Sequence, residues 1–356
     1  MDRREFLITS SGAAVAAASP ATVQAEEKAP TSPAAPHYSG QAVRLRLAMP
    51  WADTPQGPAD AVHGLARRFE TMTGGRYRIE IVEGGGVEPD ADLVHGSAHD
   101  FAPLHPAFAY FAGLPGLAGL SAGDFAHWIA IGGGQMLWDE LAGRHGWKPL
   151  LAGHSGDAPP LWSREPVTGL QDLAGRRIAA PGLGADVARA LGAEALGSLA
   201  PHEAAAALAD GTVFAVEAGL LVGLAAGIPQ AARHATGQGL NGRGTALALS
   251  VRLPVWEQLP EADQAILAAV AAEAFQLSLA EARVHAPVSR RVLDALGVTF
   301  APWPADVAEA LGRVAEATIA HVAGRDETAL RIDQSYRAFR AMLSEPALSA
   351  GFPSVA

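Results

Sequence analysis

Residues 43–82 read VRLRLAMPWADTPQGPADAVHGLARRFETMTGGRYRIEIV, and this stretch sets the fold class. From Val43 to Pro50 apolar and polar side chains alternate, the period of a half-buried strand. Between Pro58 and Thr71 the spacing becomes helical, with Ala61, Leu65 and Phe69 on one face. Tyr77 to Val82 alternates again. Strand, helix and strand in that order predict a βαβ opening, and with it α/β layers around partly parallel sheets.

The same alternation continues downstream. Helical patterns recur at 124–145, 185–197, 202–210, 260–296, 304–323 and 328–343. Short strand candidates separate them at 149–152, 161–164, 177–180, 213–216 and 245–251. Segment 260–296 is long for a globular helix and starts after Leu259-Pro260, where proline suits the first turn. Pro287 is expected to kink or interrupt it, because proline lacks the N–H that an inner helical residue donates. A helix of that length is expected to cross from one lobe of the protein to another.

A chain of 356 residues has room for two domains, each with a substantial core. It is 49% hydrophobic and only 18% charged, which places it among globular rather than disordered proteins. A formal net charge of −11 argues against a nucleic-acid partner, since phosphate binding is built from clustered Lys and Arg. With no cysteine, disulfides, thiolate metal sites, iron–sulfur clusters and cysteine nucleophiles are excluded.

The N-terminus reads as an address. Asp2-Arg3-Arg4-Glu5-Phe6-Leu7 precedes a mildly apolar, small-residue run from Ile8 to Ala18, and Val23-Gln24-Ala25 has the small-x-small form of a cleavage site. Paired arginines followed by Phe-Leu match a twin-arginine signal, so export with cleavage near Ala25 is expected. The run is too short and too rich in Ala, Ser and Gly to span a bilayer, which takes about 20 strongly apolar residues. Glu26 to Gly40, rich in Pro, Ala and Ser, reads as a disordered tether.

Three groups of residues invite a chemical reading. Gly153-His154-Ser155-Gly156-Asp157 nearly spells a nucleophile elbow, but the final Gly is missing and triad members converge in space rather than in sequence. His95, His99 and His105, with Asp92 and Asp100 nearby, are candidates for a zinc cluster and would support a metal-dependent hydrolase. Gly96, Pro103 and Pro106 favour strand and loop there, where the i,i+4 spacing of histidines loses its meaning. Gly132-Gly133-Gly134 and Gly182-Leu183-Gly184 lack the lysine of a phosphate loop and a full dinucleotide fingerprint, and read as a close-packing site and a turn.

From residue 131 onward the sequence resembles the solute-binding proteins of tripartite ATP-independent periplasmic (TRAP) transporters, in the branch that binds α-keto acids and related carboxylates. The matching text is GGGQMLWDEL (132–141), KPLLAGHSG (148–156), LQDLAGRRIAAPGLGADVARALGA (170–193), GTALAL (244–249), WEQLPEADQAIL (256–267) and QSYRAFRA (334–341). HPAFAYFAGLPGL (105–117) and the opening strand fit as well, so the resemblance spans nearly the whole exported chain, in order.

What it implies is an α/β protein of two lobes with mixed sheets, an interlobe cleft and a long lobe-spanning helix. Lobe 1 would take 41–156 with a return strand near 245–256, lobe 2 would take 157–244, and the spanning helix 257–298. Residues 299–356 would be C-terminal helices packing on the lobes. A small organic, carboxylate-like solute held in the cleft would pass to TRAP membrane permease subunits from the periplasm. No enzymatic activity and no resident cofactor are implied, although family members can hold a cation such as sodium with the ligand, and a homodimer is left open.

The implied pocket departs from the family pattern. Members usually carry an Arg two residues before the Pro of the P-G-L-G turn, where it binds the substrate carboxylate. Here that position is Ala179. The family Gln after the GHSG-like run falls at Ala158, and the family Glu-Trp pair becomes Glu217-Ala218. Glu217, Asp100, His99, Phe101 and Trp162 are the candidate walls, with Arg164 or Arg243 as substitute cations. Burying an anion without its counter-charge costs several kcal/mol, so the pattern predicts a less acidic ligand or a diverged paralogue that no longer binds and has an interaction role.

Overall fold

The computed structural model describes residues 40–50, 58–83, 90–116, 118–156 and 159–344. The expected export signal and nearly all of the tether lie outside the described residues, as does Ala158. Strand β1 (Val43–Met49), helix α1 (Pro58–Met72) and strand β2 (Tyr77–Glu83) form the expected opening, and β1 pairs with β2 in parallel. Strand β3 (Leu93–Ser97) pairs in parallel with β1. Helices α2 (Ala122–Ala130) and α3 (Gly134–Gly143) then lead to β4 (Trp147–His154).

The chain next builds a second sheet from β5 (Leu161–Ser163), β6 (Arg177–Ala179), β7 (Glu194–Leu196), β8 (Ala215–Glu217) and β9 (His234–Thr236). Helix α4 (Leu183–Ala190) joins β6 to β7, α5 (Pro201–Asp210) joins β7 to β8, and α6 (Leu220–Ala225) and α7 (Ile228–Ala231) lie between β8 and β9. Strand β10 (Ala246–Arg252) returns to the first sheet, antiparallel to both β3 and β4. After α8 (Leu253–Gln258) and α9 (Glu261–Ala295), strand β11 (Thr299–Ala301) closes the edge of the second sheet, and α10 (Ala305–Ala323) and α11 (Glu327–Ser344) end the described chain. The sheet orders are β2-β1-β3-β10-β4 and β11-β9-β5-β8-β6-β7. Both are mixed, as the alternation predicts.

Each sheet is covered on both faces, which explains its apolar strands. In the first sheet, Leu45, Leu47 and Met49 pack with Val62, Leu65 and Phe69 of α1 and with Leu267, Val270, Ala271 and Ala274 of α9. Its other face carries an aromatic core in which Phe111 stacks on Trp128 and Trp138, and Ile319 and Val322 of α10 join it. The second sheet buries Leu161 and Ile178 with Val307 and Leu311 of α10 on one side, and Trp162, Ala179 and Val216 with Leu293 of α9 on the other. Helix α9 therefore spans both cores as expected, and α10 is a second brace that the sequence pattern does not announce. Among the described residues α9 is long and apolar enough to cross a membrane; its Leu267, Val270, Ala271, Ala274 and Leu293 are buried in these two cores, while Leu277, Val284 and Val292 are exposed.

Some expectations need correction. The helical pattern at 124–145 is two helices, broken where Gly133 adopts a φ of 85°. A Cβ on Gly132 would lie 2.7 Å from the Phe339 ring and 2.9 Å from the Trp128 backbone, so close packing sets the break. The pattern at 185–197 stops being helical at Ala190, and Gly192, with a φ of 92°, turns the chain into β7. Helix α9 continues through Pro287, which sits on its exposed side where water can satisfy the carbonyl one turn earlier.

Besides α9, two segments connect the sheets, 155–160 going out and 237–245 coming back. They are bonded to each other: Ser155 N–H donates to the Thr245 carbonyl at 2.9 Å, Thr245 N–H to Ser155 Oγ at 2.8 Å, and Gly239 N–H to the Pro159 carbonyl at 2.7 Å. Gly244 has a φ of +83°, and a Cβ there would stand 2.3 Å from the Gly156 carbonyl oxygen. Gly156 in turn admits no Cβ, which would meet that of Ala282 on α9 at 2.5 Å. Gly244→Ala combines left-handed strain with a backbone clash and should cost roughly 2–4 kcal/mol in unfolding free energy. Gly297→Ala, also at positive φ (+77°) but in open space, should cost about 1 kcal/mol. Denaturant unfolding of the two variants checks this, and equal losses would refute the close approach.

Candidate functional site

Two of the candidate residues, Glu217 and His99, lie where the returning segment meets the second sheet. Glu217 ends β8, and its carboxylate turns to the returning segment, accepting from the N–H groups of Leu240 and Asn241, both at 3.1 Å, and from Asn241 Nδ2 at 3.4 Å. Asn241 Nδ2 also donates to the Pro181 carbonyl at 2.8 Å. The Gly182-Leu183-Gly184 turn is a seat for side chains from elsewhere. A Cβ on Gly184 would lie 2.3 Å from Asn241 Nδ2, and one on Gly182 would lie 2.0 Å from His99 Nδ1.

His99 comes from the short turn after β3, so it bridges from the first sheet to the glycine turn of the second. It is buried, and neither ring nitrogen nor Asn241 Oδ1 has a hydrogen-bond partner among the described residues. Burial pushes the His99 imidazole down to about 4, so it is neutral at pH 7. Desolvation pushes the Glu217 carboxyl up to about 7, against the opposing pull of the three N–H donors.

The other candidates are placed apart from this cluster. Trp162 is fully buried in the second core, and its Nε1–H donates to the Ala218 carbonyl at 2.9 Å. Ala179 is buried in β6 of the same core. Phe101 packs against Phe108 and Trp147 in the first core. Asp100 caps its own turn by accepting from Ser97 N–H at 3.1 Å. Arg164 is exposed beside Gly211, and Arg243 is exposed on the returning segment.

The metal reading meets a different geometry. His105 pairs with Asp326 at 2.7 Å, His95 lies in β3, and no group of three or more His, Asp or Glu among the described residues is arranged to hold a metal ion. Glu217, the Glu of the family Glu-Trp pair by resemblance, faces N–H donors on both oxygens, and the carbonyl of Ala218 is taken by Trp162. N–H donors already engage each of these oxygens, so a cation here would have to share or displace those contacts. His154 Nδ1 accepts from Gly156 N–H at 3.1 Å and Ser155 Oγ accepts from Thr245 N–H, so the GHSG run shapes a crossing segment rather than pairing a nucleophile with a base.

A cavity of about 220 Å³ opens beside the crossing segments. Its walls come from the end of β4 with Ser155, from His95, from Leu247, from the start of α6 (Leu220, Leu221, Val222) and from one face of α9. None of Glu217, Trp162, Phe101, His99, Asp100, Ala179 or Arg164 lines it. The α9 residues Ser278, Glu281, Ala282, His285, Ala286 and Ser289 do, and sequence reasoning missed them. Their spacing by three and four was the available signal, masked by the reading of this segment as a spanning helix.

Residues 52–320 match the model of the bacterial extracellular solute-binding proteins of family 7, also called DctP. The chain belongs to this family. A curated relative is the monocarboxylate 2-oxoacid-binding periplasmic protein of Nostoc sp., 26% identical over 354 residues that cover 96% of this chain and 94% of the relative. Among solved structures, a TRAP transporter solute-binding protein from Bordetella bronchiseptica, with calcium and picolinate in one site of a mixed-occupancy dimer, superposes with a TM-score of 0.80 at 22% identity. That match covers 85% of this chain and 93% of the other. A TRAP periplasmic solute-binding protein from Colwellia psychrerythraea, with bound calcium and pyruvate, gives 0.79 at 22% identity, covering 85% and 95%. At that identity these structures establish the shared fold.

In this DctP-family protein Glu217 sits within a packed cluster in which the His99 ring nitrogens and Asn241 Oδ1 have no hydrogen-bond partner among the described residues. The raised Glu217 carboxyl binds a proton in the folded state between about 4.5 and 7, where the unfolded chain has released it. Its contribution to stability is present at low pH and lost as pH rises through about 7. Relative to the native protein, Glu217→Gln should therefore gain up to roughly 3 kcal/mol between pH 4.5 and 7.5. Denaturant unfolding at both pH values measures it, and a pH-independent difference would contradict the buried-carboxyl reading.

Proposed function

We propose that this chain is the extracytoplasmic capture component of a TRAP-type importer. It leaves the cytoplasm by the twin-arginine route, is cleaved near Ala25, and works in the periplasm. A small organic solute binds at the junction of the two sheets, and the units built on them, near 41–156 and 157–244, close about the crossing segments before the solute passes to the membrane permease. The observation that carries this reading is the cavity walled by the end of β4 with Ser155, by Leu247 of β10, by the start of α6 and by α9. Ligand sites form at such junctions because closure there surrounds a solute with walls from both sides.

The ligands of relatives support a small organic solute without settling its charge. The Nostoc relative is named for monocarboxylate 2-oxoacids and the Colwellia protein holds pyruvate, whereas a TRAP periplasmic solute-binding protein from Chromohalobacter salexigens holds (S)-2-amino-1-propanol. Here the arginine that would pair with a carboxylate is replaced by Ala179, whose side chain is core.

Thermal unfolding of the full chain against keto acids, sugar acids, amino acids and neutral polyols tests capture. A solute at a hundred times its Kd should stabilise by about 2.7 kcal/mol. Silence across the whole panel, together with silence from the uncharged aromatic probe benzyl alcohol, would overturn the reading in favour of a paralogue that does not bind. For the export step, Arg3→Lys with Arg4→Lys should leave the precursor in the cytoplasm, and undiminished periplasmic protein would contradict the twin-arginine assignment.

A further inference from the structure

The cavity beside the crossing segments has a composition that speaks to what it takes. Among the described residues no Lys or Arg lines it. His95 and His154 are both pushed down to about 4 by burial, so neither supplies positive charge at neutral pH. An anion there would have no counter-charge and would face the carboxylate of Glu281. Glu281 already has an interaction of its own in the structure, with which a cation entering the cavity would compete. Leu220, Leu221, Val222 and Leu247 make the rest of the wall apolar.

A few hydrogen-bonding groups remain in that wall. Because His154 Nδ1 accepts from Gly156 N–H, the ring proton of its neutral form sits on Nε2, which has no partner among the described residues. The side chains of His285 and Ser289 likewise make no hydrogen bond among the described residues, although Ser289 is only 5% exposed. Ser278 and Ser155, by contrast, are engaged by the backbone. An apolar cavity of roughly 150 Å³ holds a benzene ring, so about 220 Å³ admits a ring with one or two further heavy atoms.

We infer that this cavity is a binding site for an uncharged, ring-sized organic solute, apolar toward α6 and β10 and hydrogen-bonded through a hydroxyl or carbonyl to the α9 face at His285 and Ser289. The inference rests on the solute-capture reading and specifies its ligand class and place. It moves the contact from the Glu217 and Ala179 positions to the long helix.

The test uses the full chain at pH 8, where an ordinary imidazole is uncharged. Three matched probes, benzyl alcohol, benzoate and benzylamine, are compared by thermal shift and by titration calorimetry. Benzyl alcohol should raise the melting temperature, and benzoate and benzylamine should not. Ala286→Leu, which fills the cavity, should abolish the shift. Ser289→Ala, a smaller change that leaves the packing intact, should weaken binding about five- to tenfold. An equal or larger shift from either charged probe, a shift that survives both substitutions, or no shift from benzyl alcohol would overturn the inference. Stabilisation by a member of the acid, amino-acid and polyol panel in that last case leaves capture standing, whereas silence in both experiments removes capture as well.

Discussion

The architecture depends on one close approach, that of the Gly244 backbone to the Gly156 carbonyl oxygen, with Ala282 of α9 against the other side of Gly156. Three pieces of backbone meet where any β-carbon on either glycine would collide. Hydrogen bonds between Ser155 and Thr245 tie the two crossing segments into a short paired ribbon at the same place. Because of this contact the two sheets share a narrow, defined junction, and the cavity lies against it.

Two helices carry the load on either side of the junction. Helix α9 buries Leu267, Val270, Ala271 and Ala274 in the first core and Leu293 in the second. Helix α10 does the same with Ile319 and Val322 in the first core and Val307, Leu311 and Ala315 in the second. Between its two anchored ends α9 has only small and polar side chains on the cavity face, Ser278, Ala282, Ala286 and Ser289 among them. That local loss of bulk lets a helix act as both a brace and a cavity wall. Glu217, His99 and Asn241 hold a second polar patch closed on the glycine turn, at the expense of unpaired nitrogen and oxygen atoms.

Much of the fold could be read from periodicity. β1, α1 and β2 are legible because each is long enough to show its period, and β10 and α9 for the same reason. β5, β6 and β8 are only three residues each but sit in apolar, buried runs that mark them, whereas β7 and β11, equally short, are more exposed edge strands and leave no such mark. β3, with the text LVHGS, is buried on both faces and does not alternate. The site was less legible. Position 217 was singled out by its residue type alone, since its neighbour Ala218 departs from the family pair, and Trp162 has the composition of a pocket wall and the environment of a core residue. His95 and His154, weighed as metal ligands and as part of a triad, line a cavity that sequence spacing does not reveal.

What this sequence determines by itself is the α/β layering, the long helix, the acidic and cysteine-free character, and the absence of an arginine at position 179. All of these follow from local pattern or residue identity, which need no knowledge of distant neighbours. Only the tertiary structure decided that α10 joins α9 as a brace, that His99 seats on Gly182, and that Ser278 to Ser289 of α9 face a cavity with the ends of β4 and α6. These are contacts between segments far apart in the chain. They depend on which faces remain after each helix has buried its apolar side, and packing sets that remainder.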